Sequence, residues 1–308
     1  MSARLAILCP GQGAQHAQMF DLIDAGRRAA LFSEWQLEKH LGMPVAAALA
    51  DDAALFSNRI AQPLIVAAEM AMWSALRDAL PAPAVVAGYS IGELSAYGVA
   101  GSLGAGDAVA LAATRARLMD ECAADGGTQA MLAVPHFDSG RVRALIADHR
   151  LFIAIETAED SVIVGGANDE ALALQGRIRG YGERACMLPV GVASHTPLMQ
   201  EAAERFGEEL RTRRFADPRT PVVAGISAQL VYRKEDARSS LARQIAETIR
   251  WMDCMDACAE AGVTVALELG PGTALSRMLR SRHPHIECRS VAEFRALSSI
   301  ESWVARHF

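Results

Sequence analysis

Lysine is nearly missing from this chain: Lys39 and Lys234 are the only lysines among 30 basic residues. Acidic residues number 36, so the net charge is −6, which argues against a general nucleic-acid-binding surface. Aromatic residues are also scarce, at 6% of the chain. This scarcity, in a chain rich in alanine and leucine, favours a helix-rich α/β fold over an all-β sandwich.

Long apolar runs are absent from the sequence. The first apolar run, residues 5–9, is too short for the core of a signal peptide, and no later segment approaches the length of a membrane span. Apolar residues make up 51% of the 308 residues and charged residues 21%, as in globular proteins. We therefore expect a cytoplasmic protein with a substantial core and no membrane partner.

Paired metal ligands are missing too. The six cysteines form no Cys-x-x-Cys pair, so without a secretion signal we expect reduced thiols. Cys254 and Cys258 share a helix face, but no histidine pattern completes a zinc site. His283 and His285 flank a proline and are only a weak indication of metal binding. We predict no metal and no permanently bound cofactor.

The most informative segment is VVAGYSIGELSAY at residues 85–97. A short β-branched run leads into Gly88-Tyr89-Ser90-Ile91-Gly92, and a helix-forming segment begins at Glu93. A Gly-x-Ser-x-Gly pattern between a strand and a helix is typical of a nucleophile elbow. Glycine is needed at both outer positions because a Cβ there would clash as strand and helix approach each other. Ser90 is thus the predicted nucleophile, at a helix N-terminus whose free N–H groups can stabilise an oxyanion.

A serine nucleophile needs a base, and eight histidines are available. His195 lies between a predicted strand and a predicted helix, where it can face a cleft. An α/β-hydrolase, with its order Ser…Asp/Glu…His, would instead favour a late histidine such as His283 and a His-Gly-Gly-Gly-like segment, which is absent. The first strand ends in PGQGAQ at residues 10–15, where Gln12 can present a backbone N–H to the site.

The order of predicted elements indicates an α/β fold with two domains. A buried strand at Leu5–Cys9 is followed by helical periodicity from about residue 17 to 80, with breaks near 42–44 and 62–63, and by a helix over about 105–124. From residue 127 the order is strand, helix, strand, strand, helix, strand, which is ferredoxin-like. We predict a large α/β domain with a mostly parallel sheet, residues 1–126 and 192–308, and an inserted ferredoxin-like domain, residues 127–191.

Together these residues resemble the malonyl-CoA:acyl carrier protein transacylases. The resemblance spans nearly the whole chain, and its motifs occur in the family's order: PGQGAQ at 10–15, Gln62-Pro63, GYSIGE at 88–93, Arg115, VASH at 192–195, Gln244 with Arg250-Trp251, and LGPG at 269–272. Tyr89 stands where the enzymes of fatty-acid synthesis carry histidine. In a free-standing chain of this length, the elbow is most similar to that of the transacylase (epsilon) subunit of malonate decarboxylase.

The resemblance implies catalytic roles. It implies that Ser90 is the nucleophile and His195 its base, and that the backbone N–H groups of Gln12 and Ile91 form the oxyanion hole. In this family a backbone carbonyl near Gln244 orients the histidine, so no acidic third residue is required.

The resemblance also implies a means of substrate selection. Arg115 would bind the free malonyl carboxylate, and Gln62 would belong to the same substrate-binding region. An asparagine in the small domain of related enzymes aligns with Thr157, so its contribution does not carry over.

The expected function is malonyl transfer from malonyl-CoA to the prosthetic-group thiol of an acyl carrier protein, through a malonyl-serine ester. The malonate decarboxylase setting would add that system's other subunits as partners. Alternatives are a malonyl transacylase of fatty-acid synthesis or a free-standing polyketide acyltransferase, a serine hydrolase or thioesterase, and a non-catalytic carrier-docking subunit. Intact Ser90, His195 and Arg115 argue against the last.

Overall fold

The computed structural model describes residues 3–308, and its fold is built on two β-sheets. The strands, in chain order, are β1 (Leu5–Cys9), β2 (Val85–Gly88), β3 (Gln129–Val134), β4 (Leu151–Ala158), β5 (Ser161–Ala167), β6 (Cys186–Met187), β7 (Val222–Val223), β8 (Leu230–Val231), β9 (Ile249–Arg250), β10 (Val265–Glu268) and β11 (Glu287–Ser290).

Helices cover both sheets. They are α1 (Ala25–Glu34), α2 (Leu37–Leu41), α3 (Val45–Ala50), α4 (Asp52–Phe56), α5 (Asn58–Leu76), α6 (Gly92–Val99), α7 (Ala105–Asp125), α8 (Ser139–Ile146), α9 (Asn168–Gly180), α10 (Gln200–Thr212), α11 (Lys234–Arg243), α12 (Trp251–Glu260), α13 (Ala274–Arg282) and α14 (Leu297–Ala305), with short 3₁₀ turns at Pro197–Met199 and Val291–Glu293.

The first sheet has six strands in the order β11-β10-β1-β2-β7-β8. All neighbours are parallel except β7 and β8. β1 lies inside the sheet and is buried along its whole length, which explains its uninterrupted apolar sequence. The predicted α/β fold with a mostly parallel sheet is confirmed. Because parallel strands end at one edge, the loops after β1, β2 and β10 come together there, where α/β proteins bind ligands.

The second sheet has five strands in the order β6-β3-β5-β4-β9. Its first four strands and α8 and α9 follow the predicted order of strand, helix, strand, strand, helix, strand. β9 joins this sheet from outside that segment and runs parallel to β4, with Ile249 opposite Ile155. Two residues are too few for a periodic pattern, so this strand was not predicted. The division into residues 1–126 with 192–308 and residues 127–191 stays a prediction.

Two local predictions were wrong. Helical structure begins at Ala25 rather than near residue 17, because Asp24 caps that helix by accepting hydrogen bonds from the N–H groups of Gly26 and Arg27. The break near residues 62–63 is absent, and α5 runs through Pro63. Proline leaves the carbonyl of Arg59 without its helical partner, but Arg59 is exposed, so water can take that place.

The core packs α5 and α6 on the parallel sheet, and Tyr97 and Trp251 are among its largest fully buried side chains. Within residues 3–308 no helix has the length and apolar character to cross a membrane. The cytoplasmic location stays a prediction. All six cysteines are unpaired, and the described residues contain no cluster of three or more potential metal-binding side chains.

Candidate active site

The turn after β2 is held by close backbone packing. Ser90 lies in it with φ of 55°, a left-handed conformation that non-glycine residues seldom adopt. A Cβ at Gly88 would lie 2.3 Å from the backbone of Glu93, and one at Gly92 would lie 2.0 Å from the carbonyl oxygen of Cys9. Both positions therefore require glycine. Gly88 does so for the predicted reason, the close approach of β2 and α6, whereas Gly92 does so because it packs on the end of β1, which was not predicted.

The turn brings Ser90 to His195. Ser90 Oγ lies 2.8 Å from His195 Nε2, and His195 is 1% exposed. The other ring nitrogen, Nδ1, faces the backbone carbonyl of Gln244. Since a carbonyl only accepts, Nδ1 carries the proton, and Nε2 is left to accept from the serine hydroxyl.

The environment of His195 keeps its imidazole neutral. Burial lowers the pKa of His195 to about 3, and the charge of Arg115 acts in the same direction, while the carbonyl of Gln244 opposes them. A neutral imidazole at physiological pH has a free lone pair on Nε2. It can therefore take the serine proton as a general base.

Gln244 is hydrogen-bonded to three of the other predicted site residues, His195, Ser90 and Arg115. It ends α11, and its carbonyl receives the His195 hydrogen bond. Its side-chain Nε2 donates to the carbonyl of Ser90 at 2.9 Å and to Glu93 Oε2 at 3.2 Å. Its Oε1 accepts from Arg115 Nη2 at 3.1 Å. The resemblance pointed to the carbonyl alone, and these side-chain contacts were not predicted.

Arg115 lies within this polar network. It extends from α7, is 2% exposed, and donates from Nη1 to Gln62 Oε1 at 2.7 Å as well as to Gln244. Burial lowers its pKa to about 10, and the neighbouring carboxyl of Glu93 opposes that shift, so the guanidinium stays charged at neutral pH. Neither Arg115 nor Gln62 is among the described residues that line the cavity beside Ser90.

That cavity has a volume of about 350 Å³ and lies between the two sheets. The loop after β1, residues 10–14, forms one side together with Tyr89, Ser90 and His195. The opposite wall is mainly apolar and comes from the second sheet, the segment after it and α13: Met131, Ile155, Ile163, Leu188, Val190, Leu275 and Met278. Reactive polar atoms thus face a largely apolar space, which limits the access of water.

Two backbone N–H groups flank Ser90 without hydrogen-bond partners. Within residues 3–308, neither Gln12 nor Ile91 donates its backbone N–H to another group. Gln12 lines the cavity, and Ile91 directly precedes the first turn of α6. A Cβ at Gly11 would lie 2.8 Å from the carbonyl oxygen of Tyr89, so the loop after β1 packs directly on the elbow. Two free donors on adjoining loops are what an oxyanion site needs.

Of three other positions considered in the sequence, Tyr89 lines the cavity, and Thr157 and His283 do not. The ring of Tyr89 packs edge-on against Trp251 with centroids 5.3 Å apart. The hydroxyl of Thr157 donates to the carbonyl of Ser161 at 2.9 Å within the β4–β5 hairpin. His283 Nε2 is 2.8 Å from Asp256 Oδ1.

Glu93 is a site residue that the sequence analysis missed. It is fully buried, and one oxygen accepts hydrogen bonds from the N–H of Gly225 and from Gln244. Burial raises the pKa of Glu93 to about 7, against the lowering effects of these bonds and of Arg115. The available indication was that Glu93 is the only charged residue of α6.

Comparisons with known proteins find similarity over nearly the whole chain. The family model described as "Acyl transferase domain" matches residues 7–293. The chain is 27% identical over 301 residues to the malonyl CoA-acyl carrier protein transacylase of Bacillus subtilis, covering 94% of each. A solved type II PKS acyl-carrier protein in complex with its malonyl-transacylase, PlMCAT:AntF, matches with a TM-score of 0.89 and 26% identity, over 97% of this chain and 99% of that one.

Longer proteins also match. The chain is 30% identical over 271 residues to the polyketide synthase GfsA of Streptomyces halstedii. That alignment covers 87% of this chain and only 4% of GfsA. The shared segment is therefore one part of a much larger protein.

Proposed function

The chain belongs to the acyl transferase domain family, and we propose that it moves a malonyl group from malonyl-CoA to the thiol of an acyl carrier protein. The observation that carries this proposal is the 2.8 Å contact between Ser90 Oγ and Nε2 of a neutral, buried His195. The names of the transacylases that match along nearly their whole length support malonyl as the acyl group and a carrier protein as the partner.

The first half of the reaction forms an ester. Ser90 Oγ attacks the thioester carbonyl while its proton moves to His195 Nε2. The free N–H groups of Gln12 and Ile91 donate to the oxyanion, and the carbonyl of Gln244 holds the imidazolium through Nδ1. Collapse of the tetrahedral intermediate breaks the C–S bond. The CoA thiolate then takes the proton from His195, leaving malonyl on Ser90.

The second half uses the same groups in reverse. The carrier thiol gives its proton to His195 Nε2, and its sulfur attacks the ester carbonyl. The C–O bond to Ser90 breaks, and the serine oxygen recovers the proton from His195. Thioester exchange is nearly isoenergetic, so the enzyme must exclude water more than it must drive the reaction. The apolar wall of the cavity suits that requirement.

Arg115 is the proposed partner of the malonyl carboxylate. Its guanidinium is charged and buried, and its two bonds are to the neutral amide oxygens of Gln62 and Gln244. A carboxylate is a stronger acceptor than an amide oxygen, so a substrate that brings one can displace them. Gln62 and Gln244 hold the guanidinium until then.

The experiment detects the acyl intermediate. Purified protein is incubated briefly with malonyl-CoA and then analysed by intact-protein and peptide mass spectrometry. We expect one malonyl group on Ser90, no label in Ser90→Ala, and discharge of the label when a carrier with its thiol prosthetic group is added. A label that persists in Ser90→Ala or maps to a cysteine contradicts the proposal. Release of free malonate at the same rate with and without carrier would indicate a hydrolase.

We further propose the setting of a malonate decarboxylase, with that system's carrier subunit as acceptor. Tyr89 at the elbow supports this choice over fatty-acid synthesis, where the related enzymes carry histidine. The test compares kcat/KM for two carriers, one from malonate decarboxylase and one from fatty-acid synthesis. A preference for the second carrier would favour the housekeeping transacylase instead.

A further inference from the structure

A chain of polar side chains leads from Arg115 away from the cavity. Arg115 Nη1 donates to Gln62 Oε1 at 2.7 Å, Gln62 Nε2 donates to Asn58 Oδ1 at 2.6 Å, and Asn58 Nδ2 donates to Asp120 Oδ1 at 2.8 Å. The same Asn58 nitrogen also donates to the carbonyl of Ala116 at 3.2 Å. Asn58 and Asp120 are only half-buried, at a crevice of about 640 Å³.

We propose that Asn58 and Asp120 are positioning residues, which set how Arg115 is presented to the carboxylate of the acyl group. This inference rests on the proposed function. Neither residue touches the cavity beside Ser90, so their effect must pass through Gln62.

The donor-to-acceptor direction of these hydrogen bonds is set by the groups at the outer end of the series, which can only accept. A carboxylate and a backbone carbonyl accept hydrogen bonds, so Asp120 and Ala116 both require the Asn58 amide to turn its nitrogen towards them. Its oxygen must then face Gln62, which turns the Gln62 nitrogen to Asn58. The Gln62 oxygen is left facing Arg115. A primary amide alone has no such preference, because its oxygen and nitrogen are nearly the same size.

The other side of the guanidinium is fixed in the same way. Gln244 turns its nitrogen to the carbonyl of Ser90 and to Glu93 Oε2, which leaves its oxygen for Arg115. Arg115 is thus held between two amide oxygens, each oriented by a carboxyl group further out. If either amide turned over, an N–H group would face the guanidinium, and the resulting repulsion would displace it.

The helices make this arrangement possible. Asn58 and Gln62 are four residues apart on α5, so they share one face of that helix. Ala116 and Asp120 have the same spacing on α7. The helical turn that precedes Pro63 is therefore part of the positioning device, because unwinding it would separate Asn58 from Gln62.

The test uses three variants and two substrates. Asn58→Leu keeps a similar volume but removes the acceptor for Gln62. The double variant Asn58→Asp with Asp120→Asn exchanges the two side chains, so a carboxylate faces Gln62 and still orients it, while the carbonyl of Ala116 loses its donor. Glu121→Gln is the matched control, because Glu121 follows Asp120 on α7 but pairs on the surface with Arg117 and Arg205. Transfer from malonyl-CoA and from acetyl-CoA is measured for each.

We expect Asn58→Leu to lower the malonyl-to-acetyl ratio of kcat/KM about fivefold, the effect of one hydrogen bond. The loss should appear as a higher KM for malonyl-CoA, with acetyl transfer unchanged, which also shows that the variant is folded. The double variant should recover part of the lost ratio but not all of it, because the carboxylate that Asn58→Asp introduces faces the carbonyl of Ala116. Glu121→Gln should match the wild type.

Three results would overturn the inference. They are an unchanged ratio in Asn58→Leu, an equal loss with both thioesters, and a double variant no better than Asn58→Leu. A wild-type protein that forms no malonyl ester on Ser90 would instead refute the proposed function. The two failures are therefore distinguishable.

Discussion

Replacing Arg115 with alanine should remove the preference for malonyl over acetyl. In the structure the guanidinium makes two hydrogen bonds to neutral amide oxygens, at 2.7 and 3.1 Å, and is 2% exposed. Replacing a neutral amide acceptor by a carboxylate strengthens a guanidinium hydrogen bond by about 1–2 kcal/mol. Two such exchanges are worth about 3 kcal/mol for malonyl, or roughly a hundredfold in kcat/KM.

The rate of acetyl transfer should not be lowered by the absence of a carboxylate on the acyl group. With acetyl bound, Gln62 and Gln244 keep their bonds to Arg115, so no buried guanidinium is left unpaired. The whole preference then comes from the gain with malonyl. Arg115→Ala should bring the ratio near one, through the loss of malonyl transfer. Arg115→Lys should recover only part of it, because one ammonium cannot reproduce the two-pronged geometry.

The assay is the ratio of kcat/KM for malonyl-CoA and acetyl-CoA. A ratio is necessary because losing Arg115 also disturbs Gln244, which contacts the backbone of Ser90, and that disturbance lowers both rates alike. Arg117→Ala is the control, two residues further along α7 and paired with Glu121 at the surface. If Arg115→Ala retains the hundredfold ratio while both rates fall together, Arg115 supports the site without selecting the substrate.

Four further outcomes are expected. His195→Ala should slow acylation by two or more orders of magnitude while His283→Ala stays near wild type, and the reverse ranking would favour the α/β-hydrolase arrangement. Because burial lowers the His195 pKa to about 3, kcat/KM of Glu93→Gln, which lacks the site carboxyl that titrates near pH 7, should stay level from pH 8 down to about pH 5, where a histidine of ordinary pKa would already have lost activity. The Glu93 pKa is raised from 4.5 to about 7, so wild-type stability should fall by about 3 kcal/mol as the pH rises from 4.5 to 7, and urea unfolding of Glu93→Gln should lack this fall. Gly92→Ala would put a methyl 2.0 Å from a backbone carbonyl oxygen and should cost about 3 kcal/mol or more, whereas Gly176→Ala, with no neighbour within 4 Å, should be neutral or stabilising.

The sequence was most informative where local sterics decide the structure. Gly88 is required by contacts within its own strand–turn–helix unit, and the Gly-x-Ser-x-Gly spacing was sufficient to predict the elbow. The contact that requires Gly92 is with Cys9 of β1, and that contact could not be predicted from the spacing. The uninterrupted apolar run of β1 likewise predicted a strand buried on both faces.

Hydrogen bonds between side chains that are far apart in the sequence could not be predicted from local patterns. Glu93 and Asp120 contribute through partners on other elements, and Asn58 joins Gln62 of its own helix to Asp120 of another. Nothing in their immediate neighbours along the chain indicates the distant partners. The predicted break at Pro63 failed for a related reason, since packing of α5 on the sheet outweighs one missing hydrogen bond. β9 is two residues long and depends on β4 for its existence.

A main-chain carbonyl, that of Gln244, orients His195. The position of this carbonyl depends on the length of α11 and not on which side chains the helix carries. The carbonyl of Gln244 lies at the C-terminal end of α11, where helical carbonyls lack partners of their own. No side-chain replacement removes this oxygen, so alanine scanning would not reveal its role. Deleting one residue from α11 would turn its end by about 100° relative to its start and carry the carbonyl away from Nδ1. This part of the active site therefore tolerates substitution along the helix but not insertion or deletion.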